Sequence, residues 1–264
     1  CWKLHYHLMV RLSIYNEKGG VGKTTITAML ASYLSYAYGK SVCVLDFDYP
    51  SYHFMEMRSG ELSIAADPRS PLSAWLRNNP VSSEPYDVFS FPPGRGGLYH
   101  PEEVFTYLQN ILSEGYDYVF YDFPGRFASG EPVSFIAANG FLDFMGIPMD
   151  TDNQSRRSAL VVADAIKQRG IPLALFWNRV SVWEAKGDGS RFRRGAEPFA
   201  ARGMDVLAES VRDIRKFSRD SSEMAFIRST LCFPVRYVNK WSPAIIPFLE
   251  ALKTRIDNAK PTLI

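Results

Sequence analysis

The chain has 264 residues, 46% of them hydrophobic, so it can bury a sizeable core and fits one large α/β domain better than two small ones. Its 30 basic and 28 acidic side chains give a formal net charge of +2, which lacks the marked basic excess of most nucleic-acid-binding proteins. The three cysteines, Cys1, Cys43 and Cys232, have no metal-ligand spacing, which argues against a redox or metal-cluster role and is typical of a reducing compartment.

The first predicted element is a strand at 9–15, MVRLSIY, which leads straight into a glycine-rich loop. Residues 1–8 lack the apolar stretch and cleavage site of a signal peptide, and position 1 is Cys. We therefore interpret 1–8 as a non-native or disordered extension, Met9 as the native start and 9–258 as one domain. No run approaches the ~18 to 20 apolar residues that span a bilayer, so we expect a cytoplasmic protein.

A helix follows the glycine loop, because apolar residues recur at helical spacing from Ile26 to Ala37 and Gly39 suits a C-terminal cap. Next, SVCVLDFD at 41–48 predicts a second strand. The stretch 67–85 is rich in Pro and Ser and predicts no clear element. VFSFP, at 88–92, is short enough for an edge strand.

The second half of the chain continues the alternation of helices and strands. The predicted elements are a helix at 101–113, a strand at 116–122, a strand at 141–149, a helix at 155–169 and a strand at 172–180. The polar, basic stretch 181–203 predicts an excursion on the surface, and 243–256 an amphipathic helix. This order predicts an α/β fold with three layers: a doubly wound, mostly parallel sheet with helices on both faces.

The loop GVGKTT, residues 20–25, joins the first strand to the first helix. A helix that begins in this way offers free backbone N–H groups and a positive dipole end to an anion. The glycines let the backbone wrap around phosphates, Lys23 can reach the β- and γ-phosphates, and the Thr24 hydroxyl can bind Mg²⁺. Thr25 would lie near the α-phosphate. Glu17 stands where the usual motif has a glycine, so the sequence predicts a variant phosphate loop.

Three acids end predicted strands: Asp46 and Asp48 in VLDFD, and Asp122 in FYDFPG. Ligands bind at the carboxyl edge of a parallel sheet in such folds, so we expect these acids to converge on the phosphate loop. Asn178 ends another predicted strand, and its side-chain amide can donate to and accept from an adenine edge.

The segment KGGVGKTT, residues 18–25, resembles the deviant Walker A motif of the ParA/MinD class of P-loop ATPases, in which an extra lysine precedes the two glycines. The resemblance implies a homodimer with ATP and Mg²⁺ at the interface, where Lys18 reaches the phosphates of the partner's ATP. It also implies the residues that hold the nucleotide of the same subunit, namely Gly19, Gly20, Val21, Gly22, Lys23, Thr24 and Thr25.

The same resemblance implies roles for residues elsewhere in the chain. Asp48 would position or activate the attacking water, Asp46 would help to organise the Mg²⁺ shell, and Asp122 matches the Walker B acid, a Mg²⁺ partner. Asn178 would contact adenine, and Pro234 would line the adenine pocket.

A narrower likeness rests on several segments taken in order: YNEKGGVGKTT, ASYLSY, DFDYP, YDFPG, LFWN, DIRKFSRD and FIRSTLCFP. They are similar to the ParA-type ATPases of Bacteroidetes conjugative transposons, the conjugal transfer protein TraA family, from about Met9 to Pro234. Partition ATPases typically carry D-x-D-P-Q, whereas Tyr49 intervenes here and Ser51 stands in place of the glutamine. The turn Pro124–Gly125 is similar to the family's flexible turn that senses the γ-phosphate.

Basic residues cluster in two stretches: Arg191, Arg193 and Arg194, and then Arg212, Arg215, Lys216 and Arg219. ParA-type proteins bind DNA non-specifically through surface arginines and lysines, and such binding would be sensitive to salt. Acidic residues are interleaved with these basic ones, so a solvated face with local ion pairs explains the clusters equally well. The second cluster could instead face the dimer seam.

The sequence as a whole predicts an ATP-binding, slowly hydrolysing dimeric switch that serves conjugal transfer or DNA partition, with an activating partner protein. One alternative is a MinD-like positioning ATPase at the membrane, but the terminal helix carries few basic residues and is better explained by packing on the sheet. Another is an ATP-dependent metabolic enzyme of the same fold. The role of Glu17 is open, since an acid beside a phosphate site should weaken ATP binding.

Overall fold

The structure is a computed structural model, and it describes residues 9–79, 84–91, 100–125, 132–181, 190–211, 228–241 and 243–259. Its centre is a six-stranded sheet with the order β3-β2-β4-β1-β5-β6, and every pairing between these strands is parallel. The strands are β1 (Val10–Ile14), β2 (Val42–Asp46), β3 (Asp87–Ser90), β4 (Tyr118–Asp122), β5 (Phe144–Met149) and β6 (Leu173–Trp177).

Helices connect these strands and cover the sheet. They are α1 (Lys23–Ser32), continued by a π-helical turn (Tyr33–Ala37), α2 (His53–Ala66), α3 (Pro71–Asn78), α4 (Pro101–Leu112), α5 (Pro132–Ala138), α6 (Asn153–Gln168), α7 (Ser190–Ala200), α8 (Val235–Trp241) and α9 (Ile245–Asp257).

Two hydrophobic cores lie on opposite faces of the sheet, because neighbouring strand residues point to opposite sides. Leu12 and Val44 face a core that includes side chains of α1 and α9. Leu45 and Val119 face the other core, to which α4, α5 and α6 contribute. The strands β2 and β5 are buried along their whole length and have largely apolar sequences, whereas the edge strand β3 is partly exposed. The predicted three-layer, doubly wound fold is therefore confirmed.

The terminal helix α9 packs on the sheet, as predicted. Phe248 lies with its ring centroid 5.0 Å from that of Phe176 in β6. The apolar residues on this face of the helix are all buried: Ile245, Phe248, Leu249, Leu252 and Ile256. Among the described helices, none has the length and apolar character needed to cross a membrane.

The structure corrects the prediction in two places. The stretch 67–85 contains α3, whose N-cap Ser70 accepts a hydrogen bond from the Ser73 N–H, and α2 lies before it. The excursion predicted at 181–203 is partly wrong, because 190–200 forms α7. Phe192 of α7 packs edge-on against Trp177, with ring centroids 5.2 Å apart. Ser70 followed by Pro71 is a helix start signal that the Pro- and Ser-rich composition of the stretch obscured, and α7 contains Pro198, a residue that is unfavourable inside a helix.

A buried ion pair joins β1 to the residue before β5. Arg11 Nε donates to Asp143 Oδ2 at 2.7 Å, and its NH2 group donates to Asp143 Oδ1, also at 2.7 Å. The Arg11 backbone N–H donates to Asp143 Oδ2 at 2.9 Å. Both residues are almost completely buried. This bidentate pair fixes the start of β5 against the central strand.

Candidate functional site

The loop between β1 and α1 has the backbone of a phosphate-binding loop. Gly20 and Gly22 adopt φ values of 74° and 90°, which non-glycine residues rarely adopt. A Cβ atom on Gly22 would also collide with the side-chain amide of Asn178. The helix α1 begins at Lys23 without a capping side chain and without an acidic residue in its first turn. Its first N–H groups and its dipole are therefore available to an anion.

A cavity of about 440 Å³ opens at this loop, at the carboxyl edge of the sheet. Its size falls within the usual range for small-ligand sites. Many predicted residues line it, together with some that the sequence did not indicate: Glu17, Gly19, Gly20, Gly22, Lys23, Thr24, Thr25, Asp48, His53, Phe123 and Gly125. The fold has thus brought the phosphate loop and the end of β2 to one place, as expected.

Lys23 lies within this cavity. Its Nζ donates to the backbone oxygen of Lys18 at 3.4 Å, so the side chain follows the loop. Burial lowers the pKa of Lys23, and the charges of Asp122 and Asp48 partly oppose that change. A partly desolvated ammonium group interacts more strongly with a phosphate than an exposed one does.

Thr24 and Asp122 form the pair that fits Mg²⁺ best. The Thr24 hydroxyl donates to Asp122 Oδ2 at 2.9 Å. Asp122 is buried, and its Oδ1 has no hydrogen-bond partner among the described residues. Burial, followed by repulsion from Asp46, raises the pKa of Asp122 to about 7. A buried carboxylate oxygen beside a hydroxyl matches the hard oxygen ligands that Mg²⁺ requires.

Asp46 organises the backbone next to this pair. In the sheet register Asp46 lies directly opposite Asp122. Its Oδ1 accepts the Asp48 N–H, and its Oδ2 accepts the N–H groups of Phe54 and Met55, each at 3.0 Å. Burial raises the pKa of Asp46, and these backbone bonds partly offset the rise. Asp46 therefore anchors the start of α2, and its part in a Mg²⁺ shell stays a prediction.

Asp48 lies at the cavity with a partner that the sequence analysis missed. His53 Nδ1 is 2.7 Å from Asp48 Oδ2. His53 is the first residue of α2 and lines the same cavity. The chain turns back between these two residues, with Tyr52 at a positive φ of 41°. No periodic pattern encodes that turn, so only the folded backbone brings His53 to Asp48.

Lys18 is directed away from the phosphate loop. Its Nζ lies 3.1 Å from Asp152 Oδ1 and 3.4 Å from Gln154 Oε1 at the start of α6. Asp152 is also the N-cap of that helix. The hydrogen bond from Lys18 and those from the backbone N–H groups of Ser155 and Gln154 lower the pKa of Asp152. An Asp before a helical pattern is a recognisable N-cap signal, but nothing in the sequence pairs it with Lys18.

Asn178 supports the phosphate loop from behind. Its Nδ2 donates to the backbone oxygen of Val21 at 2.6 Å, and its buried Oδ1 has no hydrogen-bond partner within the described ranges. Val21 and Pro234 are both buried. The contacts of Asn178 and Pro234 with adenine stay predictions, as do the other roles assigned to site residues.

The predicted basic clusters are only partly described. Three of them, Arg191, Arg193 and Arg194, lie on α7 and are exposed. Arg215 and Lys216 lie outside the described residues.

The fold and the cavity together define a P-loop nucleotide-binding protein. The chain belongs to the family of the CobQ/CobB/MinD/ParA nucleotide binding domain, whose profile matches residues 12–231. The predicted relation to the ParA/MinD class is thereby confirmed, whereas the closer likeness to the TraA family stays a prediction. Comparison with curated protein sequences gives no match.

Solved structures share the fold at low sequence identity. The MinC:MinD cell division protein complex of Aquifex aeolicus matches with a TM-score of 0.59 and 18% identity, over 93% of this chain and 96% of that chain. A putative plasmid partition protein of Borrelia burgdorferi bound to AMPPNP gives 0.57 and 17%, over 92% and 99%. pNOB8 ParA bound to nonspecific DNA gives 0.53 and 18%, over 95% and 99%.

Proposed function

We propose that the protein is a dimeric ATP-driven switch of the ParA/MinD type, which binds Mg·ATP, dimerises around two nucleotides and hydrolyses them slowly. The observation that carries the proposal is the cavity lined by the uncapped start of α1, Lys23 and Thr24, whose hydroxyl donates to the buried carboxylate of Asp122. A structure that shares the fold holds AMPPNP, an ATP analogue, and this supports the choice of nucleotide.

The residues of one subunit divide the work of phosphate binding and hydrolysis. The backbone of residues 19–25 cradles the phosphates, and Lys23 offsets the charge that develops as the γ-phosphoryl group is transferred. Thr24 and Asp122 would hold Mg²⁺, which neutralises phosphate charge when it is bound. Asp48 orients the attacking water in line with the bond that breaks.

The second subunit supplies Lys18. Within one chain Lys18 contacts Asp152, the N-cap of α6, and Gln154 in its first turn, and it does not belong to the described cavity lining. A long, partly exposed side chain held by a surface ion pair is free to exchange partners, since such pairs contribute little to stability. Lys23 would thus serve nucleotide binding and Lys18 would serve dimerisation, although both belong to one motif.

The decisive experiment compares Lys18→Ala, Lys23→Ala and Asp48→Ala in nucleotide binding, gel filtration and ATPase assays. We expect Lys23→Ala to lose nucleotide affinity, Lys18→Ala to bind nucleotide as a monomer, and Asp48→Ala to bind and dimerise with kcat reduced to a low residual value. Lys40→Ala is the matched control, because Lys40 pairs with Asp117 on the surface. A Lys18→Ala protein that dimerises and hydrolyses ATP like the parent would refute the sandwich dimer.

The cellular role that we propose is the transfer or partition of mobile DNA in the cytoplasm, with an activating partner protein. A ParA structure with this fold is bound to nonspecific DNA, and a MinD structure is bound to MinC. The exposed arginines of α7 are the described candidates for DNA contact. The packing of α9 on the sheet argues against a membrane anchor there.

DNA binding is tested by charge reversal on α7. We expect the ATP-loaded parent to retain DNA at low salt and to lose it as salt rises, because phosphate contacts release counterions. Arg193→Glu with Arg194→Glu should weaken retention and reduce the salt dependence. A control with the same change in net charge is Lys40→Glu with Arg69→Glu. Equal retention by all three proteins would remove the DNA role from α7.

A further inference from the structure

We propose that His53 is a positioning residue for Asp48: the ring holds one carboxylate oxygen so that the other faces the attacking water. The inference rests on the proposed ATPase function and adds a residue to its hydrolytic machinery. It begins from the contact between His53 Nδ1 and Asp48 Oδ2, which are 2.7 Å apart. Both residues line the cavity beside Lys23 and Thr24.

The direction of this hydrogen bond follows from the chemistry of its partners. An ionised carboxylate only accepts hydrogen bonds, so Nδ1 carries the hydrogen and donates it. The contact uses Oδ2, which leaves Oδ1 outside this bond. Proximity to Asp48 also raises the pKa of His53, which favours a cationic donor and a stronger bond.

The backbone around the pair is fixed by the neighbouring acid. Asp46 accepts the N–H groups of Phe54 and Met55, so it holds the first turn of α2 and with it the Cα atom of His53. Asp46 also accepts the Asp48 N–H, and the Asp48 carbonyl accepts the Tyr52 N–H at 2.7 Å. One buried carboxylate thus places both ends of the His53–Asp48 contact.

Stability does not explain the pair well. The His53 side chain is 60% exposed and that of Asp48 25%, and exposed pairs of this kind contribute little to folding. Orientation of a water-binding carboxylate is sensitive to small displacements, because misplacement of a reacting group by about 1 Å can cost ~100-fold in rate. Because the pair lies at the cavity and adds little to stability, we infer that its role is in hydrolysis.

The kinetic test compares His53→Ala with His53→Asn, whose side-chain amide can place a donor where Nδ1 lies. We expect His53→Ala to lower kcat roughly 10- to 100-fold, the range for loss of a partner that orients a functional group, with KM and AMPPNP affinity unchanged. Asn should recover most of that loss. His100→Ala is the matched control, since His100 is an exposed residue before α4 that does not line the cavity.

A double-mutant cycle tests whether His53 acts through Asp48. In an Asp48→Asn background, His53→Ala should cause no further loss of kcat. Full additivity of the two changes, an unchanged kcat in His53→Ala, or an Asn variant as slow as Ala would each overturn the inference.

A readout without ATP keeps this inference separate from the proposed function. Long-range proton–nitrogen NMR spectra of the histidine ring report which nitrogen carries hydrogen. We expect Nδ1 to be protonated in the parent, and the hydrogen to move towards Nε2 in the neutral ring of Asp48→Asn. A parent that shows this bond but hydrolyses no ATP would refute the proposed function alone. A ring whose spectra do not respond to Asp48→Asn would refute the positioning role.

Discussion

Lys18 Nζ lies 3.1 Å from Asp152 Oδ1, so the lysine that the motif assigns to a partner's ATP is held by α6 of its own chain. In the dimer proposed above, this contact would have to break before Lys18 could reach across the interface. We expect Asp152→Asn to dimerise with AMPPNP at a few-fold lower protein concentration than the parent, because asparagine keeps the N-cap and removes the competing charge.

Sedimentation over a range of protein concentrations would measure this shift. Asp164→Asn is the control, since Asp164 lies on α6 and forms an exposed ion pair with Arg202. If Asp152→Asn and Asp164→Asn change dimerisation equally, the Lys18–Asp152 contact does not compete with assembly.

Gly125 lies where the turn after β4 approaches the phosphate loop. A Cβ atom there would be 2.8 Å from the Glu17 carbonyl oxygen and 3.2 Å from Lys23 Nζ. We expect Gly125→Ala to displace Lys23 and to weaken nucleotide binding at least tenfold, a cost of ~1.4 kcal/mol.

Calorimetric titration with AMPPNP would measure that loss. Gly60→Ala is the control, because Gly60 lies inside α2 with open space around it. It should leave affinity unchanged and stabilise the protein by about 0.5–1 kcal/mol. If Gly125→Ala binds AMPPNP as tightly as the parent, the turn accommodates the Cβ atom without displacing Lys23, and the prediction is wrong.

Asp122 predicts a pH dependence of stability without nucleotide. Burial raises the pKa of Asp122 in the folded chain to about 7, above the ordinary value of 3.8, so the folded state binds the proton more tightly than the unfolded chain. The contribution of protonated Asp122 to the free energy of unfolding is present in full below about pH 4 and is lost as the pH rises through about 7. Urea denaturation at pH 5 and pH 8 should show a smaller fall for Asp122→Asn than for the parent. Equal falls in the two proteins would contradict the prediction.

For the Arg11–Asp143 pair, we expect replacement of one residue to lower the free energy of unfolding far more than replacement of both. Asp143→Ala leaves a buried guanidinium uncompensated and should cost about 3 to 5 kcal/mol of unfolding free energy. Arg11→Met combined with Asp143→Leu removes both charges and should recover most of that loss. Thermal and urea denaturation would compare the variants. A double variant as unstable as Asp143→Ala would show that the pair itself is required.

Glu17 lines the cavity, yet an acid there opposes phosphate binding. We expect Glu17→Gln to bind ATP as well as the parent or better, because the change removes a like-charge repulsion. Calorimetric titration would measure affinity, with Glu114→Gln as an exposed control. A clear loss of affinity would give Glu17 a direct part in the site.

By itself, the sequence determined the sheet, the phosphate loop and the acids at the strand ends, because strands buried on both faces and glycine turns leave strong local patterns. It did not reveal α3, whose Ser-Pro start lies in a Pro- and Ser-rich stretch, or α7, which contains Pro198 and packs Phe192 against the distant Trp177. Only the tertiary structure decided that His53 meets Asp48 and that Lys18 meets Asp152. Such pairings are set by how turns and helix ends are placed in space, and residue spacing does not encode that placement.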